Sequence, residues 1–213
     1  KRLNDAFLAM VPNPNDPTVK AAYAAMSKET IDQYQELIND GYTFEFKDTE
    51  PYANSQEMID DLRNNKHLFI LSTEAEFGNE PITDQQRTEN PLLQDSGFKD
   101  VNGKTLLIND VFRGTHDFYG HSELGNSFGT KGEENAWQVH ARMYSPLARR
   151  AMTMETRAQN AFVNFSGVND KIGGLREEAR KLREEGDEEG AKKIVEQIYK
   201  EGMFGPQKVG LVA

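Results

Sequence analysis

The chain holds four histidines among its 213 residues, and three of them, His116, His121 and His140, fall close together. In His116-Asp117-Phe118-Tyr119-Gly120-His121 two imidazoles stand five positions apart. On a regular α-helix that spacing turns them about 140° away from each other, too far to share one ion. A helix that ends or widens at Gly120 removes the obstacle, because glycine frees the backbone and lets His121 swing toward the ion that His116 faces. The pattern therefore predicts metal ligation, conditional on a distortion of the helix. With no cysteine in the chain, any ion must sit on nitrogen and oxygen donors.

The third donor is expected to be a carboxylate. Two neutral imidazoles and one acid leave coordination positions free, the arrangement suited to Fe(II) that admits dioxygen or a small-molecule substrate, with Zn or Mn as alternatives. Candidates are Glu123, Glu133, Glu134 and Glu155. Glu155 lies in Met154 to Asn160, which places acids and amides beside Phe162 and Phe165, and buried polar groups need partners, of which a metal is one. Asp117 is expected to orient a ligand imidazole as an outer acceptor. Glu133 and Glu134 suit either acid–base work near the ion or the N-terminus of a helix, where the dipole favours negative charge. Arg113 either clamps an anionic substrate or pairs with Asp117 one turn later. His140 reads as a supporting residue and His67 as structural. Gln159, Asn160 and Asn164 read as a buried hydrogen-bond network, and Trp137, the only tryptophan, as core.

These residues need a helical scaffold, and the rest of the sequence supplies one. Asp16-Pro17 reads as a helix start, with Val19, Tyr23, Met26, Tyr34, Leu37 and Ile38 at helical spacing up to Gly41. Tyr42, Phe44 and Phe46 alternate as a short strand, Ser55 caps a short helix through Leu62, and His67 to Ser72 is a second strand. Residues 73–100 read as a long irregular loop, followed by a hairpin at Asn102-Gly103 and a strand at Leu106. Helices are expected at about 109–121, 132–144 and 146–165, the last capped by Ser145. Lys171 to Gly202 reads as a charged helical hairpin inserted beside the domain.

The expectation is a single predominantly α, α+β domain: a helical core, one small antiparallel sheet from the Tyr42, His67 and Leu106 regions, and the appended hairpin. Residues 1–110 form its helix, sheet and loop portion, 111–170 the metal-binding helical core, 171–202 the hairpin and 203–213 a closing segment.

The segment Phe112 to His121, with its H-D-F-Y-G-H, resembles the iron-binding signature of the pterin-dependent aromatic amino acid hydroxylases, and Thr153-Met154-Glu155 is similar to the setting of that family's ligand glutamate. This resemblance implies non-haem iron held by His116, His121 and Glu155. It stops there: Arg113-Gly114-Thr115 replaces the proline and acid that usually precede the first histidine, and no pterin-binding or amino-acid-binding segment is recognisable. A second resemblance runs nearly end to end. Asn109-Asp110-Val111-Phe112-Arg113, the histidine motif, Gly132 to Trp137, Met143 to Ala148, Glu155 to Asn160, Asn90 to Leu93 and Phe204 to Leu211 resemble an uncharacterised domain of bacteriophage polyvalent and virion-associated polyproteins. It implies a phage origin, a place in the virion or host cytoplasm, and other virion proteins as partners. The start at Lys1 then fits a piece processed from a longer product.

Composition narrows the functions. Twenty-five Lys and Arg against 35 Asp and Glu leave a net charge of −10, which repels a phosphate backbone and argues against direct nucleic-acid binding. No apolar run is long enough for a membrane span. Three readings stand: a non-haem iron oxygenase or hydroxylase, a metal-dependent hydrolase lacking the H-E-x-x-H signature of zinc peptidases, and a non-catalytic virion or ejected protein whose polar cluster only ties helices together.

Overall fold

Asp16 starts the longest helix by accepting the backbone N–H groups of Thr18 and Val19, with Pro17 at the first helical position. This helix, α2 (Pro17–Asn39), buries Val19, Tyr23, Met26, Tyr34 and Leu37, the stripe expected from the sequence, while Ile38 turns outward. A computed structural model describes residues 2–49, 51–75, 77, 81–165, 168–202 and 207–211 of the chain. A short helix, α1 (Arg2–Ala9), precedes α2; its buried Phe7 packs with Met154, Ala158 and Phe162.

The class is α+β and predominantly α, as expected, but the β content is arranged differently. Strand β1 (Thr43–Lys47) pairs in parallel with β2 (His67–Leu71), with Phe44 opposite Leu68 and Phe46 opposite Ile70. The reason is α3 (Ser55–Asn65), capped by Asn54 rather than by Ser55. A helix of that length carries the chain back along the strand, so β2 starts where β1 started. Strands β3 (Asp95–Lys99) and β4 (Thr105–Leu107) form a separate antiparallel pair. Their turn is the expected one at Asn102-Gly103, where Gly103 takes φ +82°. The single antiparallel sheet is thereby corrected to two pairs.

The stretch 73–100 is also more ordered than expected. It contains α4 (Asp84–Glu89), started by a reciprocal cap between Thr83 and Gln86, a 3₁₀ turn at Pro91–Leu93 and strand β3. Leu92 and Leu93 are buried and anchor it.

Two apolar clusters flank the helix α5 (Ile108–His116). Ile108 and Phe112 pack with Val19, Tyr23 and Met26 of α2 and with Ala148, Ala151 and Met152; Val111 packs with Tyr34, Phe44, Leu68 and Ile70. Helices α6 (Thr130–Ala141), α7 (Pro146–Thr153), α8 (Gln159–Phe165), α9 (Val168–Glu184) and α10 (Glu188–Gly202) follow. Ser145 caps α7 as expected. The last two are the charged hairpin, turned at Gly186 with φ +84°. Residues 203–206 of the closing segment lie outside the described residues. Beyond them Val209 is buried, and Lys208 Nζ donates to the carbonyls of Phe7, Leu8 and Met10 at 2.9, 3.2 and 3.0 Å, capping α1.

Candidate metal centre

The distortion on which the histidine pair depends is present. After α5 the backbone widens into a π-helical turn over Asp117–Ser122. Glu123 N–H donates to the Phe118 carbonyl and Asn126 N–H to that of His121, both five residues back and both at 2.9 Å. Five-residue bonding brings positions 116 and 121 onto one side of the helix, which 3.6-residue winding forbids. The rings stand 5.1 Å apart, nearly perpendicular. Gly120 permits the closeness: a Cβ there would lie 3.3 Å from the His116 ring and 3.1 Å from Ala136 Cβ on α6.

The third donor is Glu133, in the first turn of α6. Its Oε1 lies 3.4 Å from His121 Nε2 and its Oε2 4.0 Å from His116 Nε2. One donor atom from each of the three falls within 4.8 Å of the others. Donors about 2.1 Å from a common ion, at tetrahedral to octahedral angles, stand roughly 3.0–3.4 Å apart. The first distance already fits, and the second closes by a side-chain adjustment. His121 is 2% exposed, His116 13% and Glu133 23%, so the group is sheltered on the histidine side and reachable by solvent on the carboxylate side.

Each donor is held from behind. His121 Nδ1 donates to the Asn126 carbonyl at 3.2 Å, leaving Nε2 to face Glu133. Asn160 Nδ2 donates to Glu133 Oε2 at 3.2 Å. His116 Nδ1 lies 3.2 Å from Nδ1 of the fully buried His140. The electrostatics suit a cation. Burial raises the Glu133 carboxyl, but hydrogen bonding and charge from His116 and His121 outweigh it and hold the group down at about 2. Burial lowers the His121 imidazole, and Glu133 with Asp117 more than offsets it, so the net shift is upward. An ion seated between these groups would compete with protonation of the His121 ring.

The remaining expected site residues sit in other roles. Glu155 is not part of the donor group: its carboxylate accepts the Tyr23 hydroxyl and, at 3.1 Å, Gln159 Nε2. It lies in a second π-helical turn, Met154–Ala158, on the side of α7 that packs toward α1 and α2. Glu134 is paired in a fork with Arg157, at 2.9 and 2.8 Å. That guanidinium also lies 4.3 Å over the Trp137 ring, which is partly buried rather than core. Arg113 donates to the Leu71 and Ser72 carbonyls at 3.0 and 3.3 Å, tying α5 to the end of β2. Asp117 lies within the field of the cluster; burial raises its carboxyl, with His121 and His116 opposing. The orienting partners expected from it are supplied to the rings by Asn126 and His140. Glu123 is exposed. His67 is structural, bonded through Nδ1 to Asp61 Oδ2 at 2.7 Å.

Glu133 is among the carboxylates the sequence offers, whereas nothing in the sequence points to Asn126 or to Gln33, which lies behind His140. One local signal was available for Glu133: the glycine before it. A Cβ on Gly132 would sit 1.8 Å from the Ser127 carbonyl oxygen, so only glycine lets the 123–129 loop close against the start of α6. Gly132→Ala is therefore expected to cost about 1–3 kcal/mol through forced displacement of that loop. A thermal melt should show a Tm several degrees lower; an unchanged Tm would show that the close approach does not constrain the loop. Comparison of the chain with protein-family models, with curated proteins and with solved structures finds no match to any of the three.

Proposed function

We propose that this protein is a metalloprotein that holds one divalent transition-metal ion through His116, His121 and Glu133, with Fe(II) as the fitting ion and oxygenase or hydroxylase chemistry as its use. The observation that carries this reading is the convergence of three donors across a π-helical turn, which regular helix geometry does not produce. Two imidazoles and one carboxylate match the ligand set that leaves positions free for dioxygen and substrate. Held by these three residues, an iron ion would supply redox-active Lewis-acid chemistry. The chain's own contribution is to present two ring nitrogens and one carboxylate oxygen. It also keeps Glu133 ionised and shelters the histidine side from water.

A second reading rests on a separate observation: the triad joins the two ends of the 123–129 loop, since His121 precedes it and Glu133 follows it. A metal confined to that role is a structural clip, and Zn or Mn serves it as well as iron. One set of measurements separates the two. Anaerobic titration with Fe(II) should show about one equivalent bound, and His116→Ala should abolish it; unchanged uptake would remove the metal assignment. If a chelator lowers the Tm while iron-loaded protein consumes no dioxygen with any reductant or substrate offered, the clip reading takes over.

A further inference from the structure

His140 is fully buried on α6, 24 residues from His116 and distant from the solvent side of the centre. Its ring is enclosed by Phe112, Tyr119, Tyr144 and His116. Its two nitrogens have different partners. Nε2 lies 2.8 Å from Oε1 of Gln33, on α2, and Nδ1 lies 3.2 Å from Nδ1 of His116. An amide oxygen only accepts, so Nε2 of His140 carries a hydrogen. Among the described residues no carboxylate bonds to the ring, and burial, which disfavours the charged form, leaves it neutral with a lone pair on Nδ1. A lone pair there demands a donor opposite, which is Nδ1–H of His116. A neutral His116 with hydrogen on Nδ1 has its own lone pair on Nε2, the atom that faces Glu133.

We propose that His140, set by Gln33, is a positioning residue that fixes the tautomer of His116 and so aims the Nε2 lone pair at the metal. The chain of bonds runs from α2 through α6 to the end of α5, so the ligand's proton arrangement is imposed by an amide two residues' packing away. This inference rests on the metal reading for its purpose, but not for its test. A partner that fixes a ligand imidazole typically matters 10–100-fold in metal affinity. Asn at position 140 can present an amide oxygen near the place of Nδ1, whereas Phe fills the space with no acceptor.

The test has two independent parts. Long-range ¹H–¹⁵N correlation of the histidine rings, in metal-free wild-type protein at alkaline pH, should show His116 as the Nδ1–H tautomer and His140 as the Nε2–H tautomer. The opposite pattern would overturn the proposal whether or not the protein binds metal. Fe(II) titration should then give His140→Phe an affinity about 10–100-fold below wild type, with the His116 signal shifted toward a tautomer mixture. His140→Asn should stay within a few-fold of wild type. Equal affinities for wild type and His140→Phe would also overturn it. If His140→Phe does not fold, the wild-type tautomer measurement decides alone. Failure of the wild-type protein to take up Fe(II) sinks the proposed function and leaves the tautomer result standing.

Discussion

Glu133→Ala is expected to reduce Fe(II) affinity by more than the ~100-fold that loss of an outer partner can cost, while Glu155→Gln leaves it within a few-fold of wild type. The contrast follows from where the two acids sit. Glu133 is the carboxylate whose oxygens lie 3.4 and 4.0 Å from the two ring nitrogens, and its ionised form is held by those same rings. Without it two neutral imidazoles remain, with no anion to balance the charge of a divalent ion in a sheltered place. Glu155 is satisfied elsewhere by Tyr23 and Gln159. Anaerobic calorimetric titration of the two variants separates the assignments. The reverse outcome, binding lost with Glu155→Gln and kept with Glu133→Ala, would restore the ligand set implied by the hydroxylase resemblance. Glu133→Ala also removes an acceptor from Asn160, so its fold is to be checked by circular dichroism before affinity is compared.

The two acids show where sequence reasoning reaches its end. His116 and His121 were legible, including the condition on their spacing, because both lie on one stretch of backbone and a glycine between them signals its distortion. The choice of carboxylate depended on which helix start meets that turn across a seven-residue loop, a tertiary fact that helical periodicity does not encode. Glu133 reads equally well as a dipole-favoured charge at a helix N-terminus, and it serves as that too. Glu155 looked stronger because amides surround it, and those amides proved to be its partners. The fold divides in the same way. The cap at Asp16, the apolar stripe of α2, the turn at Gly103 and the charged hairpin follow from local chemistry and appear as expected. The direction of β2 follows from α3 between the strands, a connection that the alternation of Phe44 and Phe46 does not announce. Helix α1 offers only Leu3 and Phe7 as an apolar face, too few to stand out over eight residues.

Glu155 carries the other large effect, a pH-dependent loss of stability that Gln in its place should relieve. Burial pushes its carboxyl up to about 7, against hydrogen bonds from Tyr23 and Gln159 that favour the ionised form. In the unfolded chain a glutamate titrates near ~4.3. Between those two values the folded protein holds a proton that the unfolded chain has released, so stability falls as pH rises through that interval and levels off above it. At ~1.4 kcal/mol per unit the full difference is on the order of 4 kcal/mol; residual solvent contact of the side chain makes it smaller. Well below pH 4 the carboxyl is protonated in both the folded and the unfolded protein, and the difference vanishes. The Gln variant keeps an oxygen to accept from the Tyr23 hydroxyl and has no proton to lose. The two proteins should therefore unfold at similar denaturant midpoints at pH 4, with the variant gaining from there to about pH 7 and holding that gain at pH 8. Urea unfolding at half-unit steps checks this. Parallel curves across the range would mean that water reaches the carboxylate freely and that its seat between α2 and the second π turn is not closed.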